Sequence, residues 1–349
     1  MSADKPLITA IIPTYRRPQL LKRAIRSVLA QSYKNFQLCV YDNASGDETG
    51  SVVADFARSD PRVKYHCHPE NIGLMGNFNY GMAHVDTPYF SFLSDDDILF
   101  PDYFETALEG FNKHPDAMLS AASTIMVSGD RKVLDIPLAS WPREGYYPAP
   151  DGLFEMTGGS HPIITAILFR REVVDRFGTM DADVGMPADL DLELKIAAHY
   201  PIVISKKPCA IFTIHSTSTG GTSDYHYVWP SWLKIMGHIE EDEGLAPDVR
   251  ARAGRELNEQ LLKRLLYLGY KSITVRNFDH GYEISAILRE RYKLRIKPAA
   301  IVALCGICKS FPPVYYVIDP LNHFRKTAPR RNKVDLQKKY GDYLRYLDM

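Results

Sequence analysis

What most constrains this chain is an alternation that begins at Leu7. Leu7 to Ile12 is a short apolar, β-branched run closed by Pro13, and the next segment, Gln19 to Ala30, places Leu20, Leu21, Ala24, Ile25, Val28 and Leu29 at helical spacing. The pattern recurs. Phe36 to Tyr41, Val63 to His66 and Tyr89 to Leu93 read as strands, with helices expected over Glu48 to Arg58 and Met75 to Ala83 between them. Strands alternating with helices predict a mostly parallel, doubly wound α/β sheet, because parallel neighbours need a crossover connection and a helix supplies it. Ligands of such sheets bind beyond the carboxyl ends of the strands. The loops after Ile12, Tyr41, His66 and Leu93 are therefore expected to line one crevice.

Those loops hold the unusual residues: Pro13-Thr14-Tyr15, Asp42-Asn43-Ala44-Ser45, Glu70-Asn71-Ile72-Gly73 and Ser94-Asp95-Asp96-Asp97. Adjacent carboxylates at the end of a buried strand repel one another unless a cation or solvent offsets them. Hard divalent ions such as Mg²⁺ and Mn²⁺ take one or two carboxylates together with phosphate oxygens, so the acidic run points to a phosphorylated substrate. A helix N-cap before Pro101 is the competing structural explanation. No GxxxxGK[ST] loop occurs, and the turn from Pro13 to Pro18 contains no glycine, which argues against a nucleoside triphosphatase and against a dinucleotide fingerprint.

Beyond Asp97 the rhythm loosens. Gly, Pro and aromatic residues run from Ser140 to His161, followed by a strand-like Ile163 to Phe169 and a helix-like Leu190 to His199. From about Tyr225 helical patterning dominates, most clearly over Arg255 to Tyr270, where Leu257, Leu261, Leu265 and Leu268 share a face. A boundary is expected near Ser223, between an α/β unit at 1–223 and a helical region at 224–349. Charge divides in a similar way. The whole chain balances 42 Lys+Arg against 42 Asp+Glu, yet Gly244 to Met349 carries 21 against 10 and Met1 to Glu243 carries 21 against 32. Five thinly spread cysteines suit a reducing compartment, and no basic segment followed by an apolar one opens the chain, so a cytoplasmic location is expected. Ala299 to Cys308 is apolar but far shorter than the ~20 residues a spanning helix requires. The basic tail, with Tyr315 and Tyr316, could rest on an anionic membrane surface; no nucleic-acid-binding motif accompanies its charge.

Taken in order, Ile11-Ile12-Pro13-Thr14-Tyr15-Arg16-Arg17, Val40-Tyr41-Asp42-Asn43-Ala44-Ser45-Gly46-Asp47, Asn71-Ile72-Gly73 and Phe92-Leu93-Ser94-Asp95-Asp96-Asp97 resemble the inverting family 2 glycosyltransferases of the GT-A fold. Weaker similarity continues to about Thr222. The resemblance implies a GT-A sheet flanked by helices, with a C-terminal helical extension. It also implies that Pro13, Thr14, Tyr15 and Arg17 line the donor pocket, that Asp42 accepts from the base, and that Asn71 and Gly73 border the nucleotide. Asp95 would contact the ribose or sugar, and Asp96, with Asp97, would hold Mn²⁺ or Mg²⁺. Ser94 stands where many members have Asp. Ala188-Asp189-Leu190-Asp191 resembles the segment carrying the acidic residue that activates the acceptor hydroxyl, with Asp189 the better match, Asp191 its rival, and Ala188 in place of the usual Glu. His215-Ser216-Thr217-Ser218 resembles a His-x-x-Ser element, which makes His215 a candidate metal or phosphate ligand.

The implied reaction is metal-dependent inverting transfer from a nucleotide-diphosphate sugar, UDP-linked by expectation, to a glycan or lipid-linked saccharide acceptor in polysaccharide assembly. Two alternatives remain at this level. One is a sugar-nucleotide nucleotidyltransferase, which normally has a Gly-rich basic loop after its first strand. The other is a non-catalytic module retaining the fold.

Overall fold

The structure, a computed structural model, describes residues 5–214, 225–311 and 335–348. Its first half follows the sequence pattern closely. Strands β1 (Ile8–Thr14), β2 (Phe36–Asp42), β3 (Val63–Cys67) and β4 (Tyr89–Phe92) are parallel in the order β3-β2-β1-β4, linked by α1 (Pro18–Leu29), α2 (Thr49–Ser59) and α3 (Gly73–Ala83). Every residue of β1 and β2 is buried, as expected of strands covered on both faces, which is why they read as continuous apolar runs. Helix α1 starts on Pro18, where a missing N–H costs nothing, and buries Leu21, Ala24, Ile25 and Val28. Helix α3 lies against the sheet at close range: a Cβ on Gly81 would sit 2.7 Å from Ile11 Cγ2 and 3.1 Å from the Tyr41 ring.

After β4 the sheet becomes mixed. The chain runs through β5 (Ile98–Leu99), α4 (Tyr103–Lys113), β6 (Leu119–Ser128), β7 (Val133–Asp135), β8 (Gly145–Tyr147), α5 (Asp151–Thr157), β9 (Ile167–Arg170), α6 (Glu172–Phe177), α7 (Ala188–His199) and β10 (Ile202–Ile214). Strand β9 inserts antiparallel between β4 and β6, and β10 then lies parallel to β6, extending the order to β4-β9-β6-β10-β5. The expected strand at Ile163 to Phe169 is thus a 3₁₀ turn, Ile164–Ala166, leading into β9.

The helical C-terminal part consists of α8 (Tyr225–Glu240), α9 (Pro247–Thr274), α10 (Phe278–Glu290) and α11 (Ile296–Ser310). The expected boundary at Ser223 lies outside the described residues. What the structure does show is a shared core: Leu257, Leu261, Leu265 and Leu268 of α9 belong to the same buried cluster as Leu153 of α5 and Leu192 and Ala197 of α7. Glu256 accepts from the Thr157 hydroxyl, and Gln260 Nε2 donates to Gly158 O at 3.0 Å, so α9 also holds the end of α5 in place. Among the described residues no helix is long and apolar enough to cross a membrane.

The end of the chain returns to the α/β part. A short helix, α12 (Leu336–Tyr340), and a 3₁₀ stretch (Gly341–Asp348) pack beside β5. There the Phe100 ring stacks with Tyr343 at 5.2 Å and with Tyr346 at 4.4 Å, Leu347 is buried, and Arg131 pairs with Asp348. Phe100 follows β5 directly, and β5 follows the acidic run, so this contact buttresses the acidic loop from behind. Leu347→Ala should lower stability by about 2 kcal/mol, the low end for a buried Leu truncation, as read from the urea unfolding midpoint. An unmoved midpoint would mean that the chain end contributes no packing.

Candidate active site

The loops after β1, β2, β3 and β4 do converge. At the carboxyl end of β2, Asp42 is buried; its Oδ1 accepts from Ser45 N at 3.0 Å and its Oδ2 from the Tyr65 hydroxyl at 2.6 Å. Ala44 and Gly46 adopt left-handed φ values of 60° and 66°, which turns the loop back toward β1, where Ser45 Oγ accepts from Arg16 N at 2.8 Å. Asn43 fastens the loop after β3: its Nδ2 donates to Asn71 Oδ1 at 2.9 Å and to Gly73 O at 3.1 Å, and its Oδ1 accepts from Ile72 N at 2.8 Å. Gly73, at φ +80°, starts α3 in a conformation that side chains resist. Around this polar floor stand exposed apolar residues, Tyr15, Tyr65, Ile72 and Leu74. A rim of this kind, with buried hydrogen-bonding groups beneath, is suited to a flat heterocycle.

The acidic run occupies the end of β4. Thr14 Oγ1 donates to Asp95 Oδ2 at 2.7 Å, and Arg17 Nη1 reaches both Asp95 Oδ1 at 3.3 Å and Asp96 Oδ2 at 3.1 Å. Arg23 Nη2 donates to the Asp96 carbonyl at 2.9 Å. Burial pushes the Asp95 carboxyl up to about 6, with Asp96 adding to the rise while Thr14 and Arg17 oppose it. Asp97 points elsewhere. It is 0% exposed, its Oδ2 accepts from Thr165 Oγ1 at 2.6 Å and its Oδ1 from Thr213 N at 2.9 Å, so it bolts the loop to β10 and to the segment before β9. Burial, reinforced by Asp96, raises it well above the carboxylate range.

Asp97 also connects the two halves of the site. Four residues before its partner Thr165 lies His161, and a second tie, Asn79 Nδ2 to Met180 O at 2.7 Å with Met180 N to Asn79 Oδ1 at 3.0 Å, joins α3 to the loop that precedes α7. Asp189 stands in the first turn of α7, half-buried, where the helix N-terminus favours negative charge. Its Oδ1 accepts from Leu190 N at 2.8 Å. Burial raises Asp189 above the usual carboxylate range, and His161 pulls against that rise. Asp191 faces another way: it is 2% exposed and paired with Lys195 Nζ at 2.7 Å and with His238 Nδ1 at 2.7 Å.

The structure therefore gathers Pro13, Thr14, Tyr15, Arg17, Asp42, Asn71, Gly73, Asp95 and Asp96 at the ends of adjacent parallel strands. It gives Asp97 and Asp191 internal partners. His215 lies outside the described residues. Sequence reasoning missed Asn43, Ser45 and Tyr65 as the groups that set the crevice floor, and Glu193 as a charged group buried beside His161. Trp141 is buried, with Nε1 donating to Ser160 O at 3.0 Å.

Known proteins resemble this chain in sequence and in fold. Residues 9–178 match the family profile described as glycosyl transferase family 2. An uncharacterised glycosyltransferase of Rickettsia typhi is 26% identical over 251 residues, 66% of this chain and 73% of the relative. The GalNAc(5)-diNAcBac-PP-undecaprenol beta-1,3-glucosyltransferase of Campylobacter jejuni is 34% identical over 109 residues, 31% of this chain and 35% of that enzyme. Among solved structures, S. aureus TarS 1–349 in complex with UDP-GlcNAc superposes with a TM-score of 0.63 at 15% identity, covering 87% of this chain and 91% of that one. This last likeness establishes the fold.

The elevated Asp95 carboxyl has a consequence for stability. A carboxyl at about 6 in the folded chain and ~3.9 in the unfolded one favours folding below pH 4, and that contribution is lost as pH rises toward 6. Asp95→Asn should therefore stabilise the metal-free protein by about 1–3 kcal/mol at pH 7 and by much less at pH 4, measured by denaturant unfolding. Equal effects at the two pH values would contradict the assignment.

Proposed function

The chain is a transferase built on a family 2 glycosyltransferase domain of the GT-A fold, and on that premise we propose that it is an inverting enzyme. It moves a sugar from a UDP-sugar to a hydroxyl of a glycan or lipid-linked saccharide. One observation carries this reading. A floor of buried hydrogen-bonding groups around Asp42, a pair of desolvated carboxylates at Asp95 and Asp96, and the separate carboxylate of Asp189 are tied together through Asp97–Thr165 and Asn79–Met180.

The chain's own residues then divide the work. Tyr15 and Pro13 lie against the nucleoside, and Asp42, fixed by Ser45 and Tyr65, accepts from a ring N–H of the base. Asn43 keeps Asn71 and Gly73 in position at the nucleotide's edge. Asp95 and Asp96 suit a divalent cation: both are buried, both lie within reach of one guanidinium, and the burial that raises Asp95 marks negative charge that a cation would relieve. Mg²⁺ or Mn²⁺ held there would offset charge on the leaving diphosphate. Asp97 serves this reading as a brace of the acidic loop rather than as a ligand.

Asp189 is the base. Its carboxylate takes the acceptor hydroxyl's proton as that oxygen attacks the anomeric carbon from the face opposite the diphosphate, the C1–O bond breaks, and the configuration inverts. Asp191, committed to Lys195 and His238, holds α7 in place instead.

The acceptor side agrees with a peripheral membrane location. Tyr267, Tyr270, Val275, Ile296, Ile307 and Phe311 are exposed large apolar residues of the basic C-terminal part. Aromatic and aliphatic side chains amid cationic ones suit the boundary of an anionic lipid layer, where a lipid-linked acceptor would be found, on the cytoplasmic face.

A panel of nucleotide sugars, with nucleoside diphosphate release as readout, should select a UDP-linked donor. Release of pyrophosphate instead would indicate a nucleotidyltransferase. With the selected donor, Asp189→Asn should cut turnover by about 10² to 10⁴ while donor affinity is kept. Normal turnover in that variant would remove Asp189 from the mechanism. Asp96→Ala should abolish Mn²⁺-dependent UDP binding in calorimetry, and undiminished heats would contradict its place at the cation.

A further inference from the structure

Glu193 is an anomalous acidic residue among the described residues. It lies one helical turn after Asp189 on α7, is 1% exposed, and neither carboxylate oxygen has a hydrogen-bond partner among the described residues. A buried carboxyl left in that state costs free energy unless a neighbour offsets its charge or it keeps its proton. The nearest candidate is His161, whose Nδ1 lies 3.7 Å from Glu193 Oε2, too far for a hydrogen bond but close enough for strong electrostatic coupling. The imidazole is oriented independently, because Nδ1 donates to Pro162 O at 2.7 Å; that bond fixes the proton on Nδ1. Nε2 is left as the site where the ring gains or loses charge.

The surroundings make this a group of three. Besides its own burial, Glu193 feels His161 and Asp189, and Asp189 feels His161. Charged residues on the elements packed around α7 include Asp151 and Glu155 on α5, Glu172, Arg176 and Asp175 on α6, the last paired with Arg171, and His238 on α8, which is paired with Asp191. Asp191 and Lys195, on α7 itself, pair with each other. Burial drives Glu193 up to about 7, in spite of His161. For His161, burial acts downward, but Glu193 and Asp189 outweigh it and the ring is raised above its ordinary value.

We propose that His161 and Glu193 are positioning residues for Asp189: the imidazole, oriented by Pro162 and drawn to the buried Glu193 carboxylate one turn along α7 from Asp189, favours the ionised form of that base. This rests on Asp189 being the base. The arrangement explains why Asp189, with no salt bridge among the described residues, can be kept as an acceptor of protons in a half-buried crevice. It also explains why Glu193, with no hydrogen bond among the described residues, is buried at all. No proton leaves the cluster in this role, and the proton taken from the acceptor goes to Asp189.

The direct test uses the whole protein labelled with ¹³C-histidine, with the His161 resonance assigned as the one lost in His161→Gln. In the native chain this resonance should titrate above the ordinary histidine value of ~6.5, and Glu193→Gln should lower its midpoint by about one pH unit or more. Asp189→Asn should lower it by a smaller amount. An identical His161 titration in the native and Glu193→Gln proteins would overturn the proposal. A second readout separates charge from packing. Losing the imidazolium should move the acidic limb of kcat/KM in His161→Gln to higher pH by about one unit, with donor KM unchanged. A slower enzyme with an unmoved acidic limb would show a merely structural role and would overturn the proposal too. If instead Asp189→Asn retains turnover, it is the assignment of the base that fails, and the histidine titration still decides whether the pair exists.

Discussion

Asp95, Asp96 and Asp97 are placed side by side where a buried strand ends, and the fold around them is largely arranged to make that tolerable. Arg17 and Thr14 from the loop after β1 reach Asp95, Arg17 also reaches Asp96, and Arg23 of α1 holds the Asp96 backbone. Thr165 and Thr213 take up Asp97 from two further elements. Each partner comes from a different part of the chain, so satisfying the acidic loop joins the first strand, the first helix, the last strand and the segment before β9 at one point. Remaining charge strain at Asp95 and Asp96 faces the crevice, where a cation and a diphosphate would meet it.

From that point the two sides of the site differ in construction. The donor side is a run of parallel strand ends whose loops cross-link one another through Asn43, Ser45 and Tyr65, so its shape is set by backbone turns at Ala44, Gly46 and Gly73. The side that the proposed function gives to the acceptor is built on helices. Helix α7 presents Asp189 from its first turn, α5 and α9 hold the segment that delivers His161, and the same apolar core runs through all three helices. The helical C-terminal part therefore shares the core that supports α7, and under the proposed function it is a wall of the acceptor side.

How far the site could be read from the sequence follows from these differences. The strand ends at β1 and β2 were legible because each loop there sits between a fully buried strand and an amphipathic helix, and both patterns are strong. β6 and β10 were not. The first, Leu119-Ser120-Ala121-Ala122-Ser123-Thr124, is rich in small and hydroxyl residues that bury without an apolar signal. The second is interrupted by Lys206-Lys207-Pro208, where the register against β6 shifts. Within the site, Asp189 and Asp191 look alike on paper, and only the approach of Lys195 and His238 separates them. Asp97 reads as one more ligand until Thr165 and Thr213 are seen at its oxygens. Glu193 carried no signal because an acidic residue at i+4 on a helix ordinarily faces water, and its neighbour His161 is supplied from a different segment.

The central claim is that the crevice at the ends of β1, β2 and β4 receives a nucleoside diphosphate next to Asp95 and Asp96, with Asp189 on the far side of the transferring sugar. A crystal structure of the protein with UDP and Mn²⁺ tests this most directly. The account predicts uracil on the floor made by Asp42, ribose and diphosphate running past Arg17, and the cation at Asp96. A nucleotide bound away from this crevice, or seated in it with the diphosphate pointing away from Asp95 and Asp96, would contradict the account.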